Sequence, residues 1–194
     1  KSLKCITLVH NQMGGERSED IIEALSVHPQ LETLALMSMN VGRNGCASLA
    51  NILRTTSELQ ELDLEDNGID DEGIDALMGA LLTSRLQRLE LSSNRITTRG
   101  CQRLAAMLKN PNCNLDELYL GCNNIGDEGA LVFANALAKN NKLKTLDLDN
   151  NGITTGWSSF SNVLCDTSSI NNTYLSNHTL EYLGIPQGIA PDVQ

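Results

Sequence analysis

The sequence predicts a right-handed α/β solenoid bent into a horseshoe arc, with parallel strands on the concave side and helices on the convex side. Three observations predict it. A leading leucine recurs at Leu3, Leu31, Leu59, Leu86, Leu115 and Leu143, at steps of 27 to 29 residues, and Ile170 opens a degenerate last copy. Each clear copy then alternates its apolar residues, as in Leu59-Leu62-Leu64 and Leu143-Leu146-Leu148. An asparagine follows eight residues past the leading leucine, at Asn11, Asn67, Asn94, Asn123 and Asn151. Self-similarity at this period marks a stack of one supersecondary unit, here about six and a half copies.

One copy shows how each element arises. Leu62 and Leu64 point inward from a short strand while Glu61, Asp63 and Glu65 point outward. Asn67 can satisfy both the N–H and the C=O groups that a strand leaves unpaired where it ends. Gly68 and Ile69 turn the chain, and Asp70 is a natural N-cap, with Asp71 and Glu72 in the first helical turn. Ile74, Leu77, Met78 and Leu81 then make an apolar stripe at helical spacing. Strands joined through a helix must run parallel.

Departures from the rhythm are equally legible. Met39 occupies an asparagine position, and the neighbouring Asn40 could restore the bond by a local shift. His178 sits in the asparagine place of the fading last copy and reads as an edge residue. In the copy from Leu143 the glycine expected at Trp157 falls at Gly156, as though one residue were deleted before the helix. The repeat domain is expected to cover residues 1–180, with 181–194 as a degenerate end. Without polar caps the array would expose apolar end faces, so a fragment of a longer array is expected.

The copy from Leu86 reads Leu89, Leu91, Asn94, Ile96, Gly100, Leu104, Ala105 and Leu108. In this it resembles the ribonuclease-inhibitor type of leucine-rich repeat, and it is also similar to the repeat arrays of NOD-like receptors and Ran GTPase-activating proteins. The resemblance implies a protein-interaction module. It also allows a regulator of a small GTPase, or a structural or autoregulatory segment of a larger receptor.

Composition narrows function further. A net charge of −10 argues against nucleic acid, since an acidic surface has few cations with which to neutralise phosphate. No apolar run approaches the length of a membrane span. The six cysteines are spread through the repeats and read as free thiols, Cys46 and Cys101 sharing one helix-entry position. That favours a reducing, cytoplasmic setting. Two sequons, Asn171-Asn172-Thr173 and Asn177-His178-Thr179, point the other way.

Two stretches imitate a calcium loop, Asp147 to Gly152 and Asp63 to Gly68, but the closing glutamate of such a loop is replaced by Ser158 and Ile74. Asp63 and Glu90 could stand as close as a glycosidase carboxylate pair, yet an open sheet offers no pocket to raise one pKa. His10, His28 and His178 are far apart in the array. The expectation is therefore no enzyme, no metal and no cofactor. The outward strand positions remain as the candidate site: Glu61, Asp63, Glu65, Glu90, Glu117, Tyr119, Asp147, Asp149 and Tyr174, with Arg88 between Glu61 and Glu117. They predict a face for a protein partner, plausibly a basic one.

Overall fold

The computed structural model describes residues 3–10, 16–25, 27–165, 168–169 and 176–184. Strands and helices alternate: β1 Cys5–Val9, α1 Glu16–Leu25, β2 Thr33–Met37, α2 Gly42–Thr55, β3 Glu61–Asp63, α3 Asp71–Leu81, β4 Arg88–Glu90, α4 Thr98–Leu108, β5 Glu117–Tyr119, α5 Gly126–Leu137 and β6 Thr145–Asp147. A 3-10 helix Thr155–Phe160, a short α6 Ser161–Leu164 and β7 Tyr182–Leu183 complete the order. All strands lie in one parallel sheet, in sequence order from β1 to β7.

The inward leucines form the layer between sheet and helices. Leu34, Leu62, Leu89, Leu118 and Leu146 are at most 1% exposed, as are Leu36, Leu64, Leu91, Leu120 and Leu148. Burying each contributes about 1.5–3 kcal/mol. From the helix side Ile74, Leu77 and Leu81 close over them, while Met78 is only half-buried. Asp70 caps α3 as expected, its side chain accepting the Gly73 N–H at 2.9 Å.

The asparagines bind one repeat to the next. Asn67 donates to Leu36 C=O and accepts from the Met39 and Val41 N–H groups. Asn94 repeats this with Leu64 C=O and the Asn67 and Ile69 N–H groups, and Asn123 and Asn151 continue the ladder. Asn40 does not replace the missing member. It stands exposed, while the Met39 side chain is buried and adds packing where a polar link was expected.

A second ladder of carboxylates runs along the helix entrances. Asp71 Oδ1 accepts from the Thr97 and Gly100 N–H groups and Oδ2 from the Thr97 hydroxyl. Asp127 does the same for Thr154, Thr155 and Gly156. Gly156 is thus the counterpart of Gly100, one residue early. A Cβ on Gly100 would meet Asp71 Oδ1 at 2.6 Å, which is why glycine is needed there. The missing residue has a structural consequence: the chain there is a 3-10 helix, not an α-helix. At about 2.0 Å rise per residue, six such residues cover the length of about eight α-helical ones.

The last copy differs from the expected register. Glu181 and Tyr182 N–H both donate to Lys144 C=O, as Lys144 and Thr145 N–H donate to Asp116 C=O. Leu180 is therefore the leading apolar residue, 37 positions after Leu143, because the connection has lengthened. Tyr182 pairs with Thr145, so the sheet extends beyond residue 180; Ile170, expected to open the last copy, lies outside the described residues. Asn172 and Tyr174, together with Asn11, lie outside the described residues. His178 is not in the asparagine ladder; it is an exposed neighbour of Asn177, which donates to Leu137 and Asn140 C=O and accepts from the Thr179 and Leu180 N–H groups.

Candidate interaction face

The strand register gathers the outward residues into rows. One row runs Glu61, Arg88, Glu117, Thr145, Tyr182, and the next runs Asp63, Glu90, Tyr119, Asp147. Adjacent members stand on strands about 4.8 Å apart. Glu65 and Asp149 follow at the strand ends. The face is therefore crowded with like charge, and its local geometry decides which charges remain available.

Part of the acid is held by the backbone. Asp63 Oδ1 accepts the Glu65 N–H at 3.0 Å, Glu90 Oε1 the Ser92 N–H at 2.8 Å, and Asp147 Oδ1 the Asp149 N–H at 2.9 Å. Each carboxylate thereby ties down the turn after its own strand. These bonds engage the first carboxylate of each calcium-loop look-alike, Asp63 and Asp147. Among the described residues no group of three or more His, Cys, Asp or Glu is placed to hold a metal.

The centre is closed by a cation. Arg88 bonds Glu117 at 2.7 Å, lies 3.6 Å from Glu90, and its guanidinium sits 4.1 Å over the Tyr119 ring. Tyr119 in turn donates its hydroxyl to Glu117 at 3.1 Å. Arg88 stands between Glu61 and Glu117 as expected, and of the two it bonds Glu117, with Glu90 as its second neighbour. Glu61 stays exposed, with only a 3.5 Å contact from the Thr33 hydroxyl. Tyr119 is thus half-buried beneath a guanidinium and differs from the free aromatic that its column position implies.

Crowding and burial shift the acids in a consistent direction. Glu90, 8% exposed, has its pKa raised by burial and by the neighbouring Asp63 charge, against the pull of the Ser92 bonds and Arg88. Burial and Asp147 raise Asp149 likewise, and Asp149 Oδ1 has no hydrogen-bond partner among the described residues. Burial opposes the charge of Arg88, but its bonds to Glu117 and Tyr119 more than offset this and raise its pKa.

Tyr182 belongs to this face and was not anticipated. It is 50% exposed, in the row of Arg88 and Glu117, and its pKa is raised by burial and by Asp147 and Asp149. The signal was present in Leu180-x-x-Leu183, which repeats the spacing of Leu143-x-x-Leu146. Burial pushes the Cys46 and Cys101 thiols up to about 12, so they are inert packing groups.

Fold and face together define a solenoid of leucine-rich strands with an open inner surface. The chain belongs to the leucine-rich repeat family. The pattern described as Leucine Rich repeat matches residues 58–78, 85–105, 112–134 and 139–156. Pig (Sus scrofa) ribonuclease inhibitor is 32% identical over 140 residues, covering 71% of this chain and 30% of its own length. Human NACHT, LRR and PYD domains-containing protein 3 is 33% identical over 192 residues, covering 95% and 18% respectively. Mouse ribonuclease inhibitor is 30% identical, covering 96% and 42%. The chain thus spans less than half the length of these relatives. A solved structure of Leiomodin-1 Actin-Binding Site 2 aligns over 87% of this chain and 77% of its own, at 16% identity and a TM-score of 0.49. Among the described residues no helix is long and apolar enough to cross a membrane.

Proposed function

We propose that this chain is a non-enzymatic scaffold whose concave face binds a basic surface of a partner protein. One observation carries the reading: Glu61, Asp63, Glu65, Glu90, Glu117, Asp147 and Asp149 share the face with Arg88 as the cation among them, and Arg88 is already bonded. What remains to be neutralised lies at the two flanks, Glu61 to Glu65 on one side and Asp147 with Asp149 on the other. Tyr182, exposed beside the second flank, supplies a large amphipathic contact. The relationship to ribonuclease inhibitor, a protein named for its action on another protein, supports the same reading. Buried free thiols and the occupied amide of Asn177 favour a reducing compartment.

The test is binding of an octalysine peptide by calorimetry at low and high salt. Reversing Glu61, Asp63 and Glu65 to Lys is expected to weaken binding at least tenfold at low salt, about 1.4 kcal/mol. Reversing Glu72, Asp75 and Glu128 on the helix side changes net charge equally and is expected to have little effect. Equal losses from the two triple variants would reduce the face to a net-charge effect and overturn the proposal.

A further inference from the structure

Beside the acidic face, along the loops that leave the strands, lies an open groove of about 690 Å³. Its lining carries no Leu, Ile, Val or Phe; His10, Ser38, Asn40, Asp66, Ser93 and Arg95 form its walls and Gly68 its floor. The groove exists because of what stands nine residues past the leading leucine in successive repeats. That column reads Asn40, Gly68, Arg95, Asn124, Gly152. Gly68 is flanked on both sides by long polar residues, and a Cβ built on it would lie 3.9 Å from Asn40 Oδ1 and 4.0 Å from Arg95 Cζ. Gly152 occupies the same place three repeats further on, and nothing comes within 4 Å of its added Cβ. One glycine position is therefore walled and the other is open surface.

The two walls are turned to solvent. Among the described residues neither the Arg95 guanidinium nor the Asn40 amide has a hydrogen-bond or ion-pair partner, and both residues are exposed. Asp66 does not take up Arg95; its Oδ2 accepts instead from the Ser38 hydroxyl at 2.8 Å on the opposite side of the groove. The loop backbone is set in a fixed shape, with Ser38, Asn40, Asp66, Ser93 and Gly68 all at positive φ. The volume falls within the range of ligand sites, but the polar lining disfavours an apolar small molecule.

We propose that this groove binds a carboxylate-bearing extended stretch of a partner polypeptide. The Asp or Glu carboxylate sits over Gly68 against the Arg95 guanidinium, which matches it with two parallel N–H donors, while the Asn40 amide oxygen on the other wall accepts from the peptide backbone. The peptide backbone on the far side donates to the free Asp66 oxygen. The occupant therefore has the opposite charge to that expected on the concave face. The site stands independently of that reading.

The test uses the 194-residue chain, ¹⁵N-labelled, titrated with the capped pentapeptide acetyl-Gly-Gly-Asp-Gly-Gly-amide and with the same peptide carrying Asn for Asp. The Asp peptide is expected to shift the amides of 38–40, 66–68 and 93–95 with a Kd on the order of 1 mM, and the Asn peptide to bind about tenfold more weakly. Arg95→Ala is expected to abolish the shifts. Gly68→Asn is expected to do the same by filling the slot, because asparagine tolerates positive φ and the fold is kept; unchanged shifts elsewhere in its spectrum verify that. Equal binding of the two peptides, shifts confined to the strands, or full binding by Arg95→Ala would overturn the proposal.

Discussion

Arg88 Nη1 lies 2.7 Å from Glu117 Oε2, at the centre of the inner surface. The pair holds a guanidinium against the Tyr119 ring and within 3.6 Å of the buried Glu90. Removing that cation leaves Glu90 buried beside Asp63 with the Ser92 bonds to stabilise its charge.

Arg88→Ala is therefore expected to destabilise the chain by about 1–2 kcal/mol at neutral pH, and by less near pH 4. The sign follows from Glu90. Its folded pKa is already raised above the usual 4.5, so the folded state holds the proton more tightly and stability falls as pH rises through that window. Losing Arg88 raises the pKa further and widens the window. Urea unfolding of both chains at several pH values checks this; a loss independent of pH would point to lost packing alone.

Asn67 is the most buried rung of the asparagine ladder among the described residues, at 1% exposed, and its side chain bonds to Met39, Val41, Leu36 and Glu65. Asn67→Leu keeps the volume but strands the Met39 and Val41 N–H groups and the Leu36 C=O. Each buried unsatisfied group costs about 1–3 kcal/mol, so a loss of about 3 kcal/mol or more is expected by denaturant unfolding. The same substitution at Asn40 is expected to change stability by less than about 0.5 kcal/mol.

That contrast shows where the sequence speaks and where it is silent. The leading leucines and Asn67, Asn94, Asn123 and Asn151 were readable because each has one possible use in a stack, and it recurs. Asp71 and Asp127 were readable only as favourable first-turn acids. Their bonds reach across to the next repeat, a relation that no local propensity encodes. On the face, the columns gave the positions of Glu61 through Asp149 but not their state, because Arg88 chooses among three carboxylates by side-chain geometry. Tyr182 was missed because a lengthened connection broke the period on which the columns depend.

Asp127 tests the second ladder. Four donors around its carboxylate hold its pKa well below the usual 3.8. A depressed acid contributes stability that is present above the unfolded value and is lost as pH falls through the folded one. Asp127→Ala is expected to speed amide exchange at Thr154 and Gly156 at neutral pH. It should also flatten the acid limb of the stability profile between pH 3.8 and lower values. Unchanged protection of the Gly156 amide would show that the 3-10 helix is held by packing instead.

Trp157 presents the reverse case, a buried donor with nothing to bond. Its Nε1 has no partner among the described residues, while its ring packs 5.9 Å from that of Phe160. Trp157→Phe removes the orphaned N–H and keeps an aromatic at the contact. The lost ring area and the relieved desolvation oppose each other at about 1 kcal/mol each, so a net change within about 1 kcal/mol is expected. Trp157→Leu keeps neither the aromatic pair nor the shape and is expected to cost about 1–2 kcal/mol more. Thermal unfolding of the two variants separates these outcomes, and a loss well beyond about 1 kcal/mol in the Phe variant would mean that the indole N–H has an acceptor.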